Sequence, residues 1–232
     1  MLLLASTESK IFDGKTLNGW EVIGGGKWSV SAGVLRGECT KADEQGLLVF
    51  EKPVKDFTAR LQFRISAGNS GFYFRAERIK EQPLVKGFQA EVDAIDDVAG
   101  IWETAGRGWV FKPTPEIHAT AKFKPGEWTD MFVSAIGDRY IVWLNGKAIT
   151  DITDAQGRRE GVVALQLHGG MDMVVEFREI YLRPISKVEP GGEKGIRTPE
   201  ALLPFGFQDR RNRPLCHLSG GRLYLREAGT LG

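Results

Sequence analysis

The sequence has little of what marks several common protein classes. Its two cysteines, Cys39 and Cys216, lie far apart in the chain, so no disulfide framework is indicated. Its 31 basic and 30 acidic residues nearly cancel, which gives no electrostatic reason to expect a nucleic-acid partner. No apolar run approaches the roughly 18 residues that a membrane helix needs. We therefore expect neither nucleic-acid binding nor a membrane span.

Several catalytic and ligand-binding motifs are also missing. The sequence contains no GxSxG elbow and no CxxC pair, so it lacks two common signatures of nucleophilic and redox chemistry. The acidic segment DAIDD holds Asp93, Asp96 and Asp97, but its spacing does not fit an EF-hand loop. We interpret these acids as solvated loop residues. His118 lies in the loop-like stretch FKPTPEIHAT, and we interpret it as a surface histidine.

An alternation with period two dominates the chain from Trp20 to Leu182. In the stretch from Phe57 to Ile65, apolar residues alternate strictly with Thr, Arg and Gln, which is typical of a strand with one buried face. Gly137-Asp138 and Asn145-Gly146 predict two tight hairpins, because their turns favour residues that tolerate positive φ. Many short strands, Gly-rich turns and no amphipathic helix predict an all-β sandwich or barrel.

The two ends of the chain differ from this pattern. Residues 1–10 begin MLLLAS, an apolar run shorter than the about 7–15 residues of a signal peptide's core. It fits the remnant of an export signal and equally a frayed terminus. Residues 186–232 are rich in Pro, Gly and Arg without a period, which predicts a disordered tail. The tail resembles the segments that are appended when a reading frame runs through a transfer-RNA gene. We therefore do not interpret Cys216 and His217 as a metal or catalytic pair. A basic interaction arm is the alternative.

Polar side chains share one face on each of three predicted strands. They are Gln166 and His168, with the small Ala164, on the first, Gln89, Glu91 and Asp93 on the second, and Tyr73 and Arg75 on the third. A sheet lined in this way offers the paired donors and acceptors that sugar hydroxyls need, and Trp102, Trp109 and Tyr73 offer aromatic plates. The plainer interpretation is a solvated sheet face with mixed polar residues. For the set as a whole we favour a polar-ligand site.

The chain resembles a known family over residues 11–185. The segments that carry the resemblance are IFDGKTLNGWEV, GNSGFYFRAE, GFQAEV, WETAGRG, the stretch GEWTDMFVSAIGDRYIVWLNGKAITDITD, and GVVALQLHGGMDMVVEFREIYLRPI. Together and in this order they are similar to the 3-keto-disaccharide hydrolase domain, a family common in bacteria. The resemblance implies one domain with a concanavalin-A-like jelly-roll fold, a sandwich of two antiparallel sheets. It also implies a periplasmic or secreted location, since relatives commonly work outside the cytoplasm.

The family's activity implies a chemistry for this chain. A ketone at C3 of a sugar acidifies the proton on C2, so a base can remove it and the leaving group at C1 departs by elimination. Water then adds to the product. This route avoids the oxocarbenium-like transition state of ordinary glycosidases. The resemblance therefore implies cleavage of 3-keto-glycosides, with a carbohydrate as the partner. A non-catalytic carbohydrate-binding module on the same fold is the alternative, because jelly rolls host both.

The resemblance also implies roles for individual residues. A base near C2, an acid at the leaving oxygen and a group that stabilises the enolate are required. The implied catalytic residues are His168 as base, Glu91 and Glu103 as acid or base, and Arg75 at the ketone or enolate oxygen. His168, Glu91 and Glu103 also offer ligands for a divalent metal ion, and metal dependence stays open at this point. The implied substrate-binding residues are Gln89, Gln166, Arg107, Trp102 and Tyr73.

Overall fold

The computed structural model describes residues 3–5, 7–95 and 97–187. The predicted tail, with Cys216 and His217, lies outside the described residues from residue 188 onward, as do residues 1, 2 and 6 of the predicted remnant. Sixteen strands and one short helix make up the described chain. The strands are β1 (Leu3–Ala5), β2 (Ser9–Lys10), β3 (Trp20–Gly24), β4 (Lys27–Ser31), β5 (Val34–Cys39), β6 (Gly46–Val54), β7 (Asp56–Ile65), β8 (Asn69–Arg78), β9 (Val85–Asp93), β10 (Ile101–Thr104), β11 (Gly108–Phe111), β12 (Thr129–Ile136), β13 (Arg139–Leu144), β14 (Lys147–Thr153), β15 (Gly161–Leu167) and β16 (Met173–Lys187).

The strands form two antiparallel sheets. The front sheet has the order β11-β10-β9-β8-β15-β6-β3, and the back sheet has the order β14-β13-β12-β7-β16-β5-β4, with β1 and β2 paired to β16. Chain neighbours such as β6 and β7 lie in different sheets, so the chain crosses between layers repeatedly. The predicted all-β sandwich of two antiparallel sheets is confirmed.

The core lies between the two sheets. In β7 the five apolar residues from Phe57 to Ile65 are each at most 2% exposed, as the alternation predicts. Phe72, Phe88 and Leu165 of the front sheet join the same buried cluster. Each such side chain contributes about 1.5–3 kcal/mol by leaving water. This inward face fixes which residues of β8, β9 and β15 point outward, away from the core.

Both predicted hairpins are present. Gly137-Asp138 joins β12 to β13, and Asn145-Gly146 joins β13 to β14. Asn145 and Gly146 have φ of 48° and 80°, the two positive values that a type I′ turn requires.

The stretch around His118 is a short helix rather than a loop. The helix α1 spans Pro115–Ala119. Thr114 caps it by accepting a hydrogen bond from the Ile117 amide, and Pro115 occupies its first turn, where the missing N–H costs nothing. These two local signals were present in the sequence. Within the described part of the chain, no helix is long and apolar enough to cross a membrane.

A β-bulge in β8 reverses the expected side of Arg75. Phe74 pairs with Phe88 but Glu77 pairs with Lys86, so β8 has one residue more than its partner. Arg75 is the residue at the bulge, with φ of 48°, and it is fully buried. The bulge is accommodated by Gly161, where an added Cβ would lie 2.3 Å from the Ala76 carbonyl oxygen. The prediction that Arg75 shares the outer face with Tyr73 is therefore wrong, because the extra residue breaks the alternation.

The Arg75 guanidinium instead joins the two sheets. Its nitrogens donate to Asp56 Oδ1 at 2.8 Å, to the Lys55 carbonyl at 2.8 Å, to the Gly137 carbonyl at 2.9 Å and to the Tyr140 hydroxyl at 3.1 Å. These partners belong to β7, to β13 and to the turns that flank β7 and β12. A buried charge is tolerated only when its partners satisfy it in this way.

Removing Asp56 tests this link. We expect Asp56→Ala to lower the free energy of unfolding by about 3–5 kcal/mol, because it leaves the buried Arg75 cation without its counter-charge. Urea denaturation of the purified protein measures the change. The matched control is Glu21→Ala, which removes an exposed partner of Arg78 at 3.0 Å and should cost about 1 kcal/mol or less. Equal losses in the two variants would contradict the interpretation.

Candidate functional site

A polar cavity lies on the outer face of the front sheet. Its volume is about 300 Å³, at the lower end of the range of small-ligand sites. The side chains that line it come from β8, β9, β10, β11, β15 and three loops. They are Gln45, Asn69, Tyr73, Gln89, Glu91, Asp97, Trp102, Thr104, Trp109, Gln166 and His168.

A larger groove of about 790 Å³ lies elsewhere, against β4, β5 and β16. Several of its charged side chains pair with one another, for example Arg36 with Glu38 at 3.3 Å and with Glu176 at 3.8 Å. Such exposed pairs are typical of a solvated sheet face. The smaller cavity on the front sheet is therefore the better candidate, because it combines buried polar groups with aromatic walls.

Regular alternation brings six of the predicted site residues together. Tyr73 lies directly opposite Gln89 on β9 and opposite Ala164 on β15. Gly71 is the neighbour that makes room for Gln89, since a Cβ there would lie 2.2 Å from the amide nitrogen of that side chain. The six residues that line the cavity as expected are Tyr73, Gln89, Glu91, Trp102, Gln166 and His168.

A chain of hydrogen bonds forms one wall of the cavity. Gln89 Nε2 donates to Gln166 Oε1 at 2.8 Å, and Gln166 Nε2 donates to the Tyr73 hydroxyl at 3.2 Å and to Gln45 Oε1 at 3.3 Å. The Thr104 and Tyr73 hydroxyls are 3.2 Å apart. Sequence reasoning missed Gln45 as a site residue because it lies in the loop between β5 and β6, where no periodicity shows where a side chain points.

Glu91 is the cavity's most perturbed carboxyl group. It is 5% exposed, and burial raises its pKa to about 8, with further increases from the Asp93 and Asp97 carboxylates. Asn69 Nδ2 donates to Glu91 Oε2 at 3.2 Å and opposes the increase. Burial of a carboxyl group disfavours its charged form. Glu91 is therefore mostly protonated at neutral pH and titrates in a range that suits acid–base catalysis.

His168 lies at the exposed rim of the cavity, just past the end of β15. Its Nδ1 is 2.8 Å from the Gly169 carbonyl oxygen, and as a donor there it leaves Nε2 with a free lone pair. The Cys39 thiol holds the backbone of this loop by donating to the carbonyls of His168 at 3.3 Å and Met171 at 3.4 Å. Burial raises the pKa of that thiol, which suits a structural role.

Two tryptophans form an aromatic wall. The rings of Trp102 and Trp109 are perpendicular with centroids 5.3 Å apart, and Trp109 remains 37% exposed. Lys112 Nζ lies 5.0 Å from the centroid of the Trp109 ring and 2.8 Å from Asp97 Oδ1. Asp97, expected to be a solvated loop acid, thus lines the cavity and forms an ion pair there. Flat apolar surface of this kind suits the face of a sugar ring.

Glu103 and Arg107 lie away from the cavity. Glu103 follows Trp102 on β10, so the two side chains point to opposite faces of the sheet. The Arg107 guanidinium binds Glu103 and also Asp154, at 3.0 and 2.6 Å from its two carboxylate oxygens. The predictions that Glu103 and Arg107 belong to the site are therefore wrong. The family resemblance implied these residues by their place in the segment WETAGRG, and that place does not show that Glu103 points to the inner face of β10.

The expected metal ligands are not assembled. Glu103 lies on the opposite face from Glu91 and His168, so these three side chains do not converge. Over residues 3–5, 7–95 and 97–187, no group of three or more His, Cys, Asp or Glu side chains is arranged to hold a metal ion.

A known protein family matches most of this chain. The sequence model of the 3-keto-alpha-glucoside-1,2-lyase-like domain matches residues 7–183. A curated relative named 3-keto-disaccharide hydrolase, from Bacteroides thetaiotaomicron, is 34% identical over 80 residues. That alignment covers 30% of this chain and 27% of the relative, so the chain matches about a quarter of the relative's length.

Two solved structures support the fold. A putative glycosyl hydrolase from Parabacteroides distasonis has a TM-score of 0.56 at 20% identity, over 75% of this chain and 92% of that one. A protein of unknown function with a galectin-like fold, from Bacillus subtilis, has a TM-score of 0.59 at 12% identity, over 79% of this chain and 97% of that one. At such identities the likeness concerns the fold, and it agrees with the expected jelly roll.

The titration of Glu91 should appear in the stability of the protein. Its pKa of about 8 lies above the roughly 4.3 of a free glutamate, so the native state keeps a proton that the unfolded state has lost. The retained proton stabilises the native state fully below the pKa of the unfolded chain, and this stabilisation is lost as the pH rises through about 8. We expect the free energy of unfolding of the native chain, minus that of Glu91→Gln, to fall as the pH rises from 5 to 8. Urea denaturation at several pH values measures this difference.

A matched variant controls for the loss of a charge. Glu51→Gln changes an exposed glutamate of β6, and its difference from the native chain should vary much less over the same pH interval. A flat difference for Glu91→Gln would contradict the raised pKa.

Proposed function

We propose a function from the premise that the chain belongs to the 3-keto-alpha-glucoside-1,2-lyase-like domain family. The protein cleaves the glycosidic bond of 3-keto-glycosides, including 3-keto-disaccharides. It does so by removing the C2 proton, eliminating the C1 substituent and adding water to the product. The observation that carries this proposal is the buried Glu91 carboxyl group in a polar cavity whose rim holds the imidazole of His168.

The two titratable groups suit complementary steps. His168 is the base, because its Nε2 has a lone pair and lies at the exposed rim where a substrate arrives. Glu91 is the acid, because its raised pKa of about 8 keeps a proton available at neutral pH. General acids and bases work best when their pKa lies near the operating pH.

The proton balance closes over the two half-reactions. His168 takes the C2 proton, the C–H electron pair forms the enolate, and the C1–O bond breaks as the leaving oxygen takes the proton of Glu91. Water then adds at C1 of the resulting enone and gives a proton to the Glu91 carboxylate, while the His168 imidazolium returns its proton to C2. Both groups regain their starting states, and the net reaction is hydrolysis.

The cavity walls suit a single sugar ring. Trp102 of β10 and Trp109 of β11 present apolar surface, and Asn69 of β8 and Gln89 of β9 present amides beside them. A volume of about 300 Å³ is small for a ligand site, which favours one enclosed ring with the leaving group outside. The chemistry also differs from that of a pair of free carboxylates in ordinary glycosidases, since Asp97, the other carboxylate of the cavity wall, is held by Lys112 at 2.8 Å.

Substrates with different leaving groups separate the roles of acid and base. We expect Glu91→Gln to lower kcat for a 3-keto-disaccharide on the order of 100-fold, because an alkoxide leaves poorly without a proton donor. With a nitrophenyl 3-keto-glucoside the same variant should lose much less of its kcat, because nitrophenolate leaves readily without a proton donor. His168→Ala should lose activity with both substrates. Release of sugar or nitrophenol gives the rates, and His118→Ala, which changes a histidine of α1, is the control expected to keep full activity.

Two outcomes would overturn the proposal. One is equal turnover of the 3-keto-disaccharide and its unoxidised parent, which would indicate an ordinary glycosidase. The other is tight binding of the 3-keto-disaccharide without any turnover, which would favour the non-catalytic carbohydrate-binding module.

A further inference from the structure

We infer that Tyr73 is a catalytic residue whose phenol donates a hydrogen bond to the enolate oxygen formed at C3 of the substrate. This inference rests on the proposed function and adds to it the group that stabilises the negative charge developing on the substrate.

The charges around the cavity pose the problem that Tyr73 solves. Removing the C2 proton places negative charge on the C3 oxygen, and catalysis needs a preorganised donor there. Among the described residues that line the cavity there is no lysine or arginine. Arg75, expected at this oxygen, and Arg107, expected to bind the substrate, are satisfied by Asp56 and Asp154 elsewhere. Lys112 lies outside the lining and pairs with Asp97. The donor is therefore a neutral group or the histidine, which the base step already uses.

Counting hydrogen bonds points to Tyr73 as a neutral donor with a proton to spare. Both amide protons of Gln166 are used, on Tyr73 and Gln45, and its oxygen accepts from Gln89. Gln166 is thus satisfied by the protein and acts as a positioning residue. The Tyr73 oxygen accepts the Gln166 proton, and with Thr104 as a second donor at 3.2 Å both of its lone pairs are occupied. A phenol has one proton and two lone pairs, so the remaining O–H is free to point into the cavity.

The ring of Tyr73 is held rigidly in place. It belongs to an apolar cluster on the outer face of the front sheet, with Leu47, Val49, Val85 and Ala164 among its members. Tyr73 is 1% exposed, so its ring is no stacking plate and its hydroxyl is the part that meets the polar wall. Burial raises the pKa of the phenol, which keeps it neutral and protonated throughout the working range. A fixed donor of this kind costs no reorganisation during the reaction.

The spacing of Tyr73 and Glu91 suits a sugar ring. Tyr73 lies opposite Gln89, and Glu91 is two residues further along the same face of β9. Such diagonal positions are roughly 7–8 Å apart between backbones. A pyranose ring placed between them directs its C3 oxygen to one group and its C1 oxygen to the other. During enolate formation the Tyr73 O–H bond stays intact and the phenol only hydrogen-bonds the oxygen, so the step adds no proton transfer.

Hydrogen exchange at C2 measures this step alone. A 3-keto-1,5-anhydrohexitol has no glycosidic leaving group at C1. In deuterated water the full-length protein should therefore exchange the C2 proton of this compound for deuterium without cleaving the compound. We expect Tyr73→Phe to slow this exchange on the order of 100-fold, with a change in KM of no more than a few-fold. NMR follows the loss of the C2 proton signal. Tyr181→Phe, which removes a hydroxyl bound to Glu179 on the back sheet, is the matched control expected to exchange at the native rate.

The outcomes separate the two proposals. If the native chain neither cleaves a 3-keto-disaccharide nor exchanges the C2 proton, the proposed function itself fails. If the native chain does both and Tyr73→Phe exchanges at the native rate, or changes only KM, the role of Tyr73 is refuted while the function stands. Should Tyr73→Phe not fold, Gln166→Met takes its place. That variant keeps the phenol but removes its orienting amide, and a native exchange rate there contradicts the inference.

Discussion

The buried ion pair between Arg75 and Asp56 links the two sheets of the sandwich. Arg75 belongs to the front sheet, while Asp56 begins a central strand of the back sheet, and the guanidinium also binds backbone carbonyls around the β12–β13 turn. The bulge that turns Arg75 inward adds one residue to β8 and so sets its register beyond that point. Tyr73, two residues earlier, keeps its outward direction and its place opposite Gln89. The inward turn of Arg75 thus joins the layers while Tyr73 stays in register at the site.

How far the sequence predicts this site depends on how regular each strand is. Gln89, Glu91, Gln166 and His168 follow from simple alternation, because β9 and the end of β15 keep their period and their inner residues are strongly apolar. Tyr73 follows in the same way. The two hairpins are equally predictable, since Asn-Gly and Gly-Asp have few other conformations that suit them so well.

The other residues of the prediction could not be placed from periodicity. A bulge leaves no clear mark in a strand of apolar and polar residues, so alternation puts Arg75 on the wrong face. The family resemblance implies Glu103 by its position in a motif, although its neighbour Trp102 occupies the outer face. Gln45 comes from a loop, and only tertiary structure brings it to Gln166. The raised pKa of Glu91 likewise depends on burial, which arises from the packing of several strands and from no local pattern.

The loop that carries His168 gives the proposed base and the proposed acid different freedom to change during evolution. Glu91 lies on a strand paired on both sides, and inserting or deleting one residue there would turn its whole face inward. His168 lies in a short connection, held to the adjacent strand by the Cys39 thiol, where sequences drift more readily. Descendants of this chain can therefore alter the distance between base and acid, and with it the shape of sugar accepted, by varying a few loop residues. The sheet face that lines the cavity would stay as it is.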